Sequence, residues 1–232
     1  MTIERILQGT SVVLLGKFNP AIFHPSWLTA REVESEFDEG IVKVVHRDLS
    51  VIEYDTRIYN VQTNRFSLET STTPGVEVAD KTRQIFQDNL IHTPINAIGI
   101  NRTVHFSVGS QAARTKLGRK LSPITPWGQF GKQMDADDAA HTGGLKSLTM
   151  KSIETVNELR IETNARIEPS AKVPQESGVY MEVNRHFALQ DYSDLEGATR
   201  SMKVLAEHFR GSLSKADEII QNMMDIVENE NI

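Results

Sequence analysis

The run Leu159 to Glu168, LRIETNARIE, alternates without a break. Leu159, Ile161, Thr163, Ala165 and Ile167 fall on one side, and Arg160, Glu162, Asn164, Arg166 and Glu168 on the other. Strict period-two patterning of this kind describes a strand with one face on a core and one in water, the usual state of an antiparallel sheet. A second such run follows at Val179 to Leu189, where Val179, Met181, Val183, Phe187 and Leu189 share a face. PSAKVPQESG, between the two, carries two prolines and a glycine and reads as their connecting loop.

Helical periodicity takes over immediately afterwards. Ser193 and Glu196 stand at capping-box spacing, where each side chain can satisfy a free N–H at a helix start. From there Leu195, Ala198, Met202, Leu205, Phe209, Leu213, Ala216, Ile220, Met223 and Val227 recur at steps of three and four. The stripe keeps its phase through Gly211, so the pattern predicts one long helix rather than two. The same order occurs earlier in the chain. Val51–Val61 and Arg65–Thr70 predict a hairpin, and Thr73–Pro74 opens a helix running to about Leu90. Further strands are expected at Ser11–Phe18, Ile41–Arg47, Ile95–Val108 and Leu145–Val156, with short helices near Ser26–Phe37 and Gln111–Leu121.

Strands that cluster with few intervening helices indicate an α+β fold built on a mostly antiparallel sheet. The two hairpin-then-helix units suggest a pseudo-duplication closed by the long C-terminal helix. The expectation is a single domain over residues 1–232, with halves 1–108 and 145–232 joined by the connecting segment 109–144. A chain of 232 residues with 39% hydrophobic and 24% charged side chains has ample material for such a core. No apolar run approaches the roughly 18 residues that cross a bilayer, and Val12–Leu15 is too short for a signal sequence. No membrane association is expected.

Several chemistries are excluded. Cysteine is absent, which removes disulfides, thiol catalysis and Cys-ligated metals and suits a reducing, cytoplasmic setting. No G-x-G-x-x-G, completed P-loop, H-E-x-x-H or G-x-S-x-G is present. None of the lysines has an acidic residue two positions before it, so the acidic-x-Lys half of a common nuclease core is missing. Ser212–Lys215 matches S-x-x-K but lies inside the helical stripe without companion motifs. No cofactor is implied.

Four features remain. Between Asp88 and Asp135 there is no acidic residue, while Arg102, Arg114, Lys116, Arg119, Lys120 and Lys132 are all positive, in a chain of net charge −6. With Trp127 and Phe130 beside them, these could grip a nucleic acid or another polyanion, or lie on a solvated helix side. Asp135, Asp137, Asp138 and His141 could hold a divalent ion, or simply offset the adjacent basic segment. The scattered histidines form no ligand pair, and His105 and His186 read as strand residues satisfied by neighbours. Lastly, the outer end of the C-terminal stripe, Leu213, Ile220, Met223, Met224 and Val227, could face a partner or a second copy, or pack on the sheet.

The run NRTVHFSV, followed by LSPITPWG and GGLKSLTM, and the closing strand and helix from Val179 resemble a sporadically distributed group of uncharacterised bacterial proteins of about this length. The resemblance covers Ile95 to Met224. It implies a prokaryotic origin and an accessory role of the kind found among mobile or defence genes, and it brings no catalytic residues. Taken together, the sequence favours a non-catalytic component that docks onto a protein partner or itself. A nucleic-acid-binding module using residues 102–132 and a metal-dependent hydrolase using residues 135–141 are the alternatives.

Overall fold

A computed structural model describes residues 3–134, 143–174, 176–189 and 197–229. Nine strands form one sheet in which every pairing is antiparallel: β1 (Arg5–Gly16), β2 (Ile41–His46), β3 (Leu49–Glu53), β4 (Arg57–Gln62), β5 (Arg65–Thr70), β6 (Ile95–Ser107), β7 (Leu148–Val156), β8 (Leu159–Pro169) and β9 (Gly178–Ala188). Helices α1 (Pro25–Ala30), α2 (Glu77–Arg83), α3 (Gln111–Leu121), α4 (Gly128–Met134) and α5 (Thr199–Asn229) complete the described elements, with a π turn, Gln84–Asn89, extending α2 and 3-10 turns at Pro20–Ile22 and Thr125–Trp127. The fold is α+β, with the long C-terminal helix that the stripe predicts. No described helix is long and apolar enough to cross a membrane.

The strand order is β2-β3-β4-β5-β1-β6-β9-β8-β7. It contains two units of like connectivity. In one, β1 is followed by a short helix, a run of strands and α2; in the other, β6 is followed by short helices, a run of strands and α5. The first strands of the two units, β1 and β6, lie side by side at the centre, with Val12 opposite Ile100. This order puts β6 at the head of the second unit. The connecting segment contributes to the core through α3, where Ala113 and Leu117 are buried.

Two local readings differ from the sequence expectation. Val51–Val61 is not one strand. It turns at Tyr54–Thr56, where the Tyr54 N–H donates to the Arg57 carbonyl at 2.8 Å, and yields β3 and β4. The helix expected from Thr73 begins only at Glu77, because Gly75 sits at φ 71°, a left-handed conformation outside the helical well.

One face of the sheet carries α2 and α5. Beneath them, Phe18, Phe23, Phe66 and Phe86 pack in a cluster, with the Phe66 and Phe86 rings edge-on at 4.9 Å. α5 is continuous through Gly211 and about 46 Å long at 1.5 Å per residue. Leu205, Phe209 and Leu213 lie on the first apolar cluster, and Ala216, Ile220, Met224 and Val227 on a second one under β6, β8 and β9. A Cβ placed at Gly211 meets nothing within 4 Å.

Loop 31–40 is fixed by a buried charge cluster. The Glu34 side chain is completely covered and takes Arg57 at 2.8 Å, Lys81 at 3.1 Å and the Tyr59 hydroxyl. Arg57 also reaches Asp38 at 2.8 Å and Glu77 at 3.3 Å. Burial, and then the Glu34 charge, push the Tyr59 phenol well above its ordinary range, so it stays a hydrogen-bond donor.

Two stability outcomes are expected. Replacing Gly211 by Ala removes backbone freedom at an open helical position and should stabilise the chain by about 0.5–1 kcal/mol in urea unfolding. Glu34→Ala leaves Lys81 only the Val33 carbonyl, Arg57 only its outer carboxylates and the Tyr59 hydroxyl no acceptor. It should cost about 3 kcal/mol, the low end for a broken buried ion pair, and a loss under about 1 kcal/mol would contradict the clasp.

Candidate binding surface

The sheet face opposite α2 and α5 is the candidate site, and strand alternation decides which side chains reach it. Val12, Leu14, Ile98, Ile100, Val183 and Phe187 point toward the helices and are buried. Their neighbours Ser11, Val13, Gly99, Asn101, Thr103, His105, Tyr180, Glu182, Asn184 and His186 therefore point the other way. Together with Arg65 and Glu69 of β5 and Lys172 of the β8–β9 loop, they line a concavity of about 450 Å³.

Register builds its floor. Ser11, Asn101, Asn184 and Asn164 stand opposite one another across β1, β6, β9 and β8. The Asn184 amide donates to Asn101 Oδ1 at 2.5 Å, and the Asn101 amide donates to Ser11 Oγ at 3.0 Å. Asn101 is only 7% exposed. Glycine keeps the floor low beside this ladder. A Cβ at Gly99 would lie 3.1 Å from Asn184 Nδ2, and one at Gly9 would lie 2.7 Å from Thr103 Oγ1.

A second group closes one end. Glu182 accepts from Arg166 at 2.5 Å and from the Tyr180 hydroxyl at 3.3 Å, and the Arg166 guanidinium lies 5.4 Å from the Tyr180 ring centre. Burial and the Glu182 carboxylate push the Tyr180 phenol up to about 12, so it remains a donor at neutral pH. His105 lies against Tyr180 with ring centres 4.8 Å apart, and its Nδ1 is 2.7 Å from Ser170 Oγ. Burial, and then the Lys172 ammonium, hold the His105 imidazole below its ordinary value. Ser170 is 5% exposed, and its oxygen also accepts the Lys172 N–H at 3.1 Å, which makes the pair a fixed turn rather than a nucleophile and base. The surface is thus a set of positioned amides, hydroxyls and imidazoles able to donate and accept hydrogen bonds.

The residues singled out from the sequence lie elsewhere. Arg102 is 3% exposed and sits on the helix side, where it reaches Asp217 at 3.1 Å and Thr10 at 3.3 Å, so it cannot share a surface grip on a polyanion. Arg114, Lys116, Arg119 and Lys120 lie on α3. Arg114 is 3.9 Å from Glu176, and Arg119 donates to the Met134 carbonyl at 3.1 Å. Trp127 and Phe130 are exposed with rings 6.2 Å apart, and Lys132 is exposed on α4. Of the proposed interface residues, Leu213, Ile220, Met224 and Val227 are buried in the chain's own core, because α5 packs along the sheet to its end; only Met223 is half-buried at the margin. Asp135, Asp137, Asp138 and His141 lie outside the described residues, as does the capping pair Ser193 and Glu196. Among the described residues no group of three His, Asp or Glu side chains could hold a metal ion.

Sequence reasoning passed over Ser11, Asn101, Tyr180, Glu182 and Asn184. The available signal was compositional: the outward positions of NRTVHFS and VYMEVNRHFA carry Asn, Thr, Ser, His and Tyr with a single charge, Glu182, where a merely solvated face carries several Lys and Glu. Compared with models of known protein families and with curated proteins, the chain matches none.

The His105 environment gives a direct check. An NMR pH titration should place its midpoint below 6.5, the ordinary value. Lys172→Gln should raise that midpoint, since removing a neighbouring positive charge favours protonation; burial would keep it from returning fully. An unchanged midpoint would show that Lys172 does not face the ring.

Proposed function

We propose that the chain is a non-catalytic protein-interaction component whose helix-free face receives an extended polar segment of its partner. The observation that carries this reading is the Asn184–Asn101–Ser11 ladder, half-buried yet opening onto a glycine-floored concavity. Side-chain amides donate and accept at once, as a peptide backbone does, and hold it without regard to charge. The charged residues of the lining support the same class of ligand: Arg65 and Lys172 are balanced by Glu69 and Glu182. A polyanion needs one dominant sign, which this surface lacks. The absence of cysteine, and the likeness of residues 95–224 to sporadically distributed bacterial proteins, support a cytoplasmic place in a prokaryotic assembly, as an accessory of a mobile element or defence system.

The test is a titration of ¹⁵N-labelled protein with random-sequence peptides of about ten residues, and separately with single- and double-stranded oligonucleotides at low salt. Peptide-induced shifts centred on Ser11, Gly99, Asn101 and Asn184 are expected. Gly99→Leu, which fills the floor from the open side, should weaken them at least about tenfold. Oligonucleotide-induced shifts at Lys116, Lys120 and Trp127 that fade steeply with salt, with no response to peptide, would replace this reading by the nucleic-acid alternative.

A further inference from the structure

We propose that β7 is a self-pairing edge, through which two copies of the chain join antiparallel about a two-fold axis at Ile153 and merge their sheets into one. β7 is the last strand in the sheet order, so among the described residues nothing pairs with its outer side. It runs from Leu148 to Val156 with no proline, and its register with β8 has no shift. Met150, Ile153 and Val156 are 65%, 50% and 39% exposed. An edge that is long, regular and partly apolar lacks the prolines and bulges that normally prevent edge-to-edge pairing, and its one lysine, Lys151, is drawn back onto Glu162 of β8 at 3.5 Å. The opposite edge, β2, also exposes apolar residues, but it has a register shift between Val42 and Val44 and projects Lys43, paired with Glu53 at 2.7 Å. Each edge carries one such paired lysine, so it is the bulge that blunts β2 and leaves β7 the regular edge.

The hairpin fixes which main-chain groups of β7 are unpaired. Asn157 and Glu158, at φ 49° and 65°, form a two-residue turn, so Val156 and Leu159 exchange the first ladder bonds. Val156, Glu154, Ser152, Met150 and Leu148 then turn their main-chain groups toward β8. Those of Thr155, Ile153, Lys151 and Thr149 point outward. Two such edges running antiparallel must set outward residues against outward residues, which centres the axis on a residue rather than between two.

Side chains select among the centres that remain. An axis at Lys151 opposes two ammonium groups, and one at Glu154 opposes two carboxylates; one at Ser152 sets Met150 against Glu154. At Ile153 the two isoleucines meet, Met150 meets Val156 twice, Lys151 meets Thr155, and Ser152 meets Glu154. This register covers all three exposed apolar side chains and places no like charges opposite each other. The occupant is therefore a second copy of this chain, because the strand is complementary to itself. The axis stands normal to the sheet, so both helix-free faces point the same way.

An edge pair alone is a small interface, so association should be reversible and concentration-dependent. Sedimentation velocity of the full chain from about 1 to about 300 µM should show a monomer passing to a dimer. Ile153→Lys opposes two positive charges at the axis and should leave a monomer throughout, while circular dichroism shows an unchanged fold. Ile153→Cys introduces the sole thiol of a cysteine-free chain. It should give a disulfide-linked dimer under mild oxidation, since a hydrogen-bonded antiparallel pair sets its Cα atoms about 5.5 Å apart. Val45→Cys on β2 should not link. A monomer at every concentration, a dimer that survives Ile153→Lys, or faster linkage through Val45→Cys would each overturn the proposal.

Discussion

The pairing of β1 with β6 is the constraint on which the rest of the molecule depends. Each is the first strand of its unit, and the register runs from Arg5 opposite Phe106 to Gly16 opposite Ile95. The second apolar cluster is built from the second unit alone, but the first unit closes no core without the second. The first apolar cluster mixes Val12, Phe66 and Phe86 with Ile161 and Phe187 of the second unit, and it is capped by Leu205, Phe209 and Leu213 of α5. The last helix of the chain thus covers strands of both units. Separating β1 from β6 would bare Val12 and Ile100 and two lines of main-chain groups at once, which makes a cooperative loss of the whole sheet the expected mode of unfolding.

Between the two apolar clusters runs a buried polar seam of Thr10, Arg102, Thr163, Arg185 and Ser212. Arg102 reaches Asp217, which Arg5 shares at 2.5 Å, and Arg185 reaches Ser212 at 3.5 Å and Glu154. Hydrophobic burial does not explain these residues, since buried arginines contribute little net stability even when paired. They distinguish registers. An apolar stripe could slide along the sheet by about one turn, 5.4 Å, and bury nearly as much area. Only one position sets Asp217 over Arg102 and Ser212 over Arg185. The seam fixes where α5 lies on the sheet whose other face forms the concavity.

How much of this is legible in the sequence depends on the range of the interaction. β8, β9 and α5 announce themselves because one-sided burial imposes a two- or three-to-four-residue period on a single segment, and Gly211 leaves that phase intact. The turn at Tyr54–Thr56 is less visible, because Val51, Ile52, Tyr59 and Val61 offer a nearly continuous apolar signal on both sides of it. The fate of Arg102 is not local at all. In the sequence it is one more cation in a basic run, and only its register opposite Thr10, with α5 folded back above it, turns it into a buried residue. The same holds for the candidate site. Ser11, Asn101 and Asn184 are far apart in the chain, and strand order alone aligns them.

Position within the sheet also bears on what the helix-free face is for. On β8, toward the edge, its outward residues are Arg160, Glu162, Asn164, Arg166 and Glu168, a mixture of charges that keeps a sheet face in water. On the central strands the outward set changes to Gly9, Ser11, Val13, Gly99, Asn101, Thr103, His105, Tyr180, Asn184 and His186, with Glu182, paired to Arg166, the one carboxylate among them. Solvation alone would not require this change, because the same alternating charges would serve the centre as well. Asparagine and glycine are also poor strand formers, so placing them in the middle of the sheet costs intrinsic β-propensity. The arrangement makes sense where the centre must stay low, nearly free of charge and rich in paired amides, ready to exchange its own hydrogen bonds for those of a ligand.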